Sequence, residues 1–180
     1  MARLILVLGG ARSGKSAFAE RLAGELAGNS VLYVATAEAG DDEMRQRIEA
    51  HQRQRPQSWR TLEAQRDVGA AIENAVGDAG AVLVDCLTLL VANPLMADEE
   101  APHSDPETAV LAEVDSLIAS AKRLGGTVVV VSNEVGMGLV PLYPMGRAYR
   151  DLLGQANQVV ARRADEVYLL VAGIPVKIKG

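Results

Sequence analysis

Residues 9–16 read Gly9-Gly10-Ala11-Arg12-Ser13-Gly14-Lys15-Ser16, a phosphate-binding loop of the form G-x-x-x-x-G-K-[ST]. Such a loop operates only between a strand and a helix, so it constrains the architecture as much as the ligand. The flanks agree: an apolar run at 4–8 reads as a buried strand, and 17–26 carries a helical pattern closed by Gly28 and Asn29. Small residues let successive backbone N–H groups curl around an anion, and the helix N-terminus adds partial positive charge. In such loops the lysine, here Lys15, reaches the β- and γ-phosphates, while the hydroxyl, here Ser16, ligates Mg²⁺. The expected ligand is a nucleoside triphosphate.

The rest of the chain alternates in the same way. Strands are expected at 31–36 (VLYVAT), 81–84 and 127–131 (TVVVV), the last uniformly apolar and therefore buried on both faces. Helices are expected at 41–54, stopped by Pro56; at 68–76; around Leu89 and Leu90, broken by Asn93-Pro94; from the Asp105-Pro106 cap to Leu124; and at 144–164. Residues 96–104 (MADEEAPHS) read as an acidic loop holding His103, a surface histidine, and 167–171 with 175–178 as a terminal hairpin turning at Gly173. Continuous apolar strands alternating with helices predict an α/β fold, a mostly parallel sheet flanked by helices with an antiparallel hairpin at its edge. With 180 residues and 49% hydrophobic composition, a single nucleotide-binding catalytic domain spanning 1–180 is expected.

Composition removes other classes. A net charge of −5 with 3% aromatic residues offers neither a basic groove nor a stacking platform for nucleic acid. No apolar stretch approaches a membrane span, and the five-residue run before Gly9 is a strand, not a signal peptide. The single cysteine, Cys86, excludes an internal disulfide framework and fits a reducing cytoplasm.

Asp85 closes the apolar run AVLV. A carboxylate at the carboxyl end of such a strand faces the phosphate loop across the sheet and can hold Mg²⁺ directly or through water. Cys86 beside it reads as a small hydrophobe, with no histidine near in sequence to activate it. In DDEMRQRIEAHQRQRP, helical spacing puts Arg47, His51 and Arg55 on one face. From the pattern alone two readings stand. One is a solvated basic face, the ordinary meaning of a charge run. The other is a phosphate site, where neutral imidazole attacks phosphorus and arginines neutralise the pentacoordinate charge. Asn133 and Glu134 open a glycine-containing loop after the strand at 127–131, at the sheet end where ligands bind in open α/β folds. Trp59 reads as packing, and Glu63 as a solvated side chain. Arg147, Arg150, Arg162 and Arg163 form either a solvated helix face or a subunit contact.

With GGARSGKS, VLYVAT, DDEM-x-x-RI-x-x-H-x-x-x-RP, the strand ending at Asp85 and SNEVGMGLVP in view, the chain resembles the bifunctional adenosylcobinamide kinase/adenosylcobinamide-phosphate guanylyltransferase family of cobalamin biosynthesis. The resemblance runs nearly end to end. It implies phosphorylation of adenosylcobinamide with ATP or GTP, then transfer of GMP from GTP through a guanylyl-histidine. The histidine of the family motif falls on His51, preceded here by Ala50 where some relatives carry a second histidine. Lys15 is the other implied catalytic residue. Implied nucleotide contacts fall on Gly9 to Ser16, on Ala35, Thr36 and Ala37, on Gln52, Arg53, Gln54 and Arg55, and on Glu63 and Asp85. Ser16 and Asp85 are the implied Mg²⁺ ligands. The resemblance further implies a RecA-like sheet and a homotrimer. A plain small-molecule kinase, with His51 as a mere phosphate contact, and a non-catalytic nucleotide switch are the competing classes; a covalent GMP adduct separates them.

Overall fold

The computed structural model describes residues 2–37, 55–95 and 105–180. The helix expected at 41–54 and the loop at 96–104 lie outside the described residues. Seven strands form one sheet: β1 (Arg3–Gly9), β2 (Val31–Ala35), β3 (Arg60–Glu63), β4 (Ala81–Asp85), β5 (Thr127–Asn133), β6 (Glu166–Val171) and β7 (Ile174–Lys179). Their spatial order is β3-β2-β4-β5-β1-β6-β7, with every pairing parallel except β6–β7. The described helices are α1 (Lys15–Ala27), α2 (Val68–Ala75), α3 (Leu87–Leu95), α4 (Pro106–Arg123) and α5 (Pro144–Arg163). The expected α/β architecture with its terminal antiparallel hairpin is the one observed.

Strand alternation divides the core into two layers. Leu4, Leu6 and Leu8 of β1, with Val128 and Val130 of β5, pack under α2 to α5. Ile5 and Val7, with Val129, Val131, Leu83 and Tyr33, pack under α1 and Trp59. Close approach of α2 and α4 depends on Gly69, where a Cβ would lie 2.7 Å from the Ser116 carbonyl oxygen. Glu113 of α4 accepts the N–H groups of Asp67 (3.1 Å) and Val68 (2.6 Å), supplying the first turn of α2 with an acceptor from outside. The Asp105 cap behaves as expected: its carboxylate accepts from Thr108 N–H at 3.3 Å, with Pro106 in the first turn.

Three details differ from expectation. Residues 60–63 form β3, a four-residue edge strand pairing with β2, where the sequence offers only Leu62 as an apolar signal. Asn93-Pro94 does not break α3, which runs on to Leu95; Pro94 sits in the last turn, so only one helical hydrogen bond is forgone. β5 extends two residues past the apolar run, to Asn133, because β1 continues to pair there, Leu8 with Ser132 and Gly9 with Asn133.

Candidate active site

The parallel register sets the site. Val7 of β1 is level with Val131 of β5, Val131 with Asp85 of β4, Asp85 with Ala35 of β2, and Ala35 with Glu63 of β3. Glu63, Ala35, Asp85 and the approach to the phosphate loop therefore occupy one row along the carboxyl edge. Two strand spacings put the Asp85 backbone about 10 Å from that of β1.

The loop itself is held by backbone geometry. Ser13 N–H donates to the Gly10 carbonyl (3.2 Å), and Lys15 Nζ donates to the same oxygen at 3.3 Å. Gly14 adopts φ 89°, a left-handed conformation that turns the chain into α1. Ser13 is buried and its Oγ lies over Gly9, where any Cβ would collide with it. Ala11 and Arg12 are exposed, while Lys15 and Ser16 are half-buried at the start of α1. From the far side, the β6–β7 turn closes on the loop: Gly173 N–H donates to the Ser13 carbonyl at 2.9 Å. That turn has two residues, Ala172 (φ 51°) and Gly173 (φ 81°), both in the left-handed region favoured in tight hairpins.

Thr36 is completely buried, and its hydroxyl is committed to the turn after Asp85. It donates to the Cys86 carbonyl (2.7 Å) and accepts from the Cys86 N–H (2.8 Å). Its own N–H donates to the Asp85 carbonyl at 3.2 Å. Burial, reinforced by the neighbouring Asp85 charge, pushes the Cys86 thiol up to about 11, so this cysteine is inert at neutral pH.

Asp85 is held in turn by Tyr33, whose Oη donates to Oδ2 at 3.0 Å. Burial, and then the same carboxylate, raise the Tyr33 phenol well above the ordinary tyrosine value. On the Tyr33 ring lies Arg55, its guanidinium carbon 3.3 Å from the centroid. Arg55 Nε and Nη1 are buried with no hydrogen-bond partner among the described residues. Arg55 also lines a cleft of about 400 Å³ with Pro56, Gln57, Trp59, Thr61 and Glu63. Trp59 is structural, as expected: it is buried and its Nε1–H donates to the Gly28 carbonyl at 3.1 Å.

At the end of β5, Asn133 is fixed from below. Its N–H donates to Thr88 Oγ1 (2.9 Å), and its carbonyl accepts from Asn157 Nδ2 (3.0 Å). Ser132 Oγ donates to Asn157 Oδ1 at 2.6 Å, completing a buried polar knot that sequence reading missed. Glu134 is turned inward to its own loop, accepting from Gly136 N–H at 2.9 Å. Arg147 likewise serves structure, donating to the carbonyls of Pro141 (3.0 Å) and Leu142 (2.8 Å).

A model of the cobinamide kinase / cobinamide phosphate guanyltransferase family matches residues 5–178. The chain belongs to this family. It is 44% identical to the bifunctional adenosylcobalamin biosynthesis protein CobU of Escherichia coli, over 98% of this chain and 99% of that protein. It is also 44% identical to the bifunctional adenosylcobalamin biosynthesis protein CobP of Pseudomonas aeruginosa, over 97% and 96% of the two chains. Among solved structures, the ATPase domain of G40P superposes with a TM-score of 0.54 at 16% identity, covering 93% of this chain and 69% of that one, a likeness of fold alone. The fold is that of the P-loop nucleoside triphosphatases.

Within this family member, the sequence-derived site residues divide cleanly. Gly9 to Ser16, Ala35, Thr36, Ala37, Glu63 and Asp85 gather along one sheet edge, and Arg55 joins them through Tyr33. His51, Gln52, Arg53 and Gln54 lie outside the described residues. Ser16 and Asp85 present a hydroxyl and a carboxylate, hard oxygen donors of the kind that complete a Mg²⁺ shell together with phosphate oxygens. Among the described residues no group of three or more His, Cys, Asp or Glu side chains is placed to hold a metal ion.

Proposed function

We propose that this enzyme phosphorylates adenosylcobinamide with ATP or GTP and then, through a guanylyl-histidine on His51, transfers GMP from GTP to give adenosylcobinamide-GDP. The observation that carries this reading is the single row linking the phosphate loop, Asp85 and Glu63, with Arg55 at its far end. The loop and Asp85 would hold the triphosphate and its metal, and Glu63 and Arg55 stand further along the same edge, beside the cleft they share.

In the kinase step the corrinoid hydroxyl oxygen attacks the γ-phosphorus in line, its bond to the β-bridging oxygen breaks, and the nucleoside diphosphate leaves as the hydroxyl proton is released. Lys15 and the loop N–H groups hold the phosphate oxygens during this transfer. In the second reaction a neutral His51 nitrogen attacks the α-phosphorus of GTP and pyrophosphate leaves. The corrinoid phosphate oxygen then displaces the histidine, breaking P–N and forming P–O–P. The histidine must be neutral to attack, and an unperturbed imidazole, with a pKa of about 6.5, is mostly neutral at slightly alkaline pH. Ser16 and Asp85 would hold Mg²⁺, which would neutralise phosphate charge.

The assembly we infer is a homotrimer in the cytoplasm. Its support is the apolar surface the single chain leaves open: Leu139 and Leu142 are 96% and 95% exposed, and Ile174, Val176 and Ile178 lie bare on β7. Among the described residues no helix is long and apolar enough to cross a membrane.

The decisive experiment incubates the protein with α-labelled GTP and Mg²⁺ without corrinoid. Retained label that is acid-labile and base-stable, and lost in His51→Ala while kinase activity persists, is the expected result. Label on Lys15, Ser16 or Cys86 overturns the assignment of His51, and no label at all leaves a monofunctional kinase.

A further inference from the structure

We propose that Tyr33 is a positioning residue that orients the Asp85 carboxylate for its metal and, by the face of its ring, ties that carboxylate to Arg55. The proposal rests on the reading of Asp85 as a Mg²⁺ ligand. Register explains the contact. Tyr33 pairs with Leu83, so Asp85 is its diagonal neighbour two residues on, on the same face of the sheet. A long side chain spans that diagonal; a short one does not. The Tyr33 oxygen thus reaches Oδ2 at 3.0 Å from inside the core, the residue itself being 3% exposed.

The arrangement has two consequences. A buried phenol needs a partner, and a carboxylate is the strongest acceptor it can find. With Oδ2 engaged, the carboxylate is locked about its own torsion and Oδ1 is left to face the nucleotide. Outer partners that fix a metal-binding carboxylate typically contribute about 10–100-fold to metal affinity. On the other side of the ring, the Arg55 guanidinium lies 3.3 Å from the centroid with Nε and Nη1 lacking partners among the described residues. One ring therefore supports the metal carboxylate through its edge and a phosphate-seeking cation through its face. No sequence pattern assigns such a role to an aromatic residue in the middle of an apolar strand.

Tyr33→Phe removes one oxygen and keeps the ring. The affinity of a non-hydrolysable GTP analogue is measured calorimetrically in Mg²⁺ and in EDTA, for wild type, Tyr33→Phe and Asp85→Asn. In Tyr33→Phe the Mg²⁺-dependent gain in affinity falls about 10-fold while binding in EDTA stays within about twofold. Asp85→Asn abolishes the gain. If Asp85→Asn leaves the gain intact, the reading of Asp85 fails. If Asp85→Asn removes it but Tyr33→Phe keeps it, Tyr33 alone is overturned. Equal loss in Mg²⁺ and EDTA means that Tyr33 only packs, and likewise overturns the proposal. A second measurement needs no variant at position 33. In 3-fluorotyrosine-labelled protein, one buried tyrosine resonance shifts when Mg²⁺ is added to the nucleotide complex, and this shift is absent in Asp85→Asn. A spectrum unmoved by Mg²⁺ in the wild type overturns the coupling.

Discussion

Gly173 donates its backbone N–H to the carbonyl oxygen of Ser13 at 2.9 Å, joining the tip of the terminal hairpin to the middle of the phosphate loop. The same two turns also touch at Gly14, where an added Cβ would stand 3.2 Å from the Gly173 Cα. The nucleotide-binding loop is therefore gripped from both sides, by α1 and by the β6–β7 turn.

Gly14→Ala tests this grip. Alanine at φ 89° is strained by roughly 1–2 kcal/mol, and the crowding at Gly173 adds to it. Nucleotide affinity should fall at least about 10-fold, with a modest drop in melting temperature. Fluorescence titration with a labelled nucleotide and a thermal melt read both. Wild-type affinity would show that the loop does not need its left-handed turn.

Lys15→Ala and Asp85→Asn should each cripple kinase and guanylyl transfer together, by about 10²-fold or more, since both reactions use the same seated triphosphate. Melting temperatures should stay close to wild type, because both side chains are only part-buried. Steady-state assays of each half-reaction check this; loss of one activity with the other intact would separate the sites.

Thr36 offers a stability test with a built-in control. Thr36→Val keeps the shape but strands the part-buried N–H of Cys86, costing about 1–3 kcal/mol, while the Cys86 carbonyl keeps the Leu90 N–H at 3.4 Å. For a chain of this size the melting temperature should drop by roughly 3–10 °C. Thr36→Ser restores the hydroxyl and should recover most of the loss. An unchanged Thr36→Val variant would mean that the Asp85–Cys86 turn is braced elsewhere.

The raised Cys86 thiol predicts a pH dependence with a definite sign. Above the ordinary thiol value of 9.0 the unfolded chain loses this proton, whereas the folded chain keeps it to about 11. Stability from this group is therefore complete below pH 9 and declines between pH 9 and 11, by up to about 3 kcal/mol. Cys86→Ala should flatten that part of the decline in denaturation curves taken between pH 8 and 10.5. Equal slopes in the two proteins would refute the thiol's contribution.

Much of this was legible in the sequence, for physical reasons that differ from residue to residue. The loop at 9–16 and Asp85 were readable because their chemistry fixes residue type at fixed spacing, and β1, β4 and β5 because burial on both faces demands unbroken apolar runs. β3 was not, since an edge strand of four residues buries only part of Leu62. Glu63 was assigned by family resemblance; that it sits level with Ala35 and Asp85 needs the register of three strands. The bracing of Cys86 by Thr36, a residue named only as an implied nucleotide contact, and that of Asp85 by Tyr33 are invisible for the same reason. Their partners, Cys86 and Asp85, are some fifty positions away, and only pairing of β2 with β4 brings them together. The knot of Ser132, Asn133 and Asn157 is hidden likewise, because a buried asparagine on a helix looks like any polar position until its neighbours are known.

The strand that delivers the phosphate loop is made first and finished last. β1 pairs only with β5 and β6, and Ser13 waits for Gly173. During synthesis, residues 3–16 emerge with no partner strand until more than a hundred further residues have followed. Such distant pairings are slow to close and leave apolar edges open meanwhile. A ribosome-bound chain truncated before residue 166 thus carries every residue of the loop motif and no gripped loop. The gripped form of the loop therefore arrives late, with the hairpin.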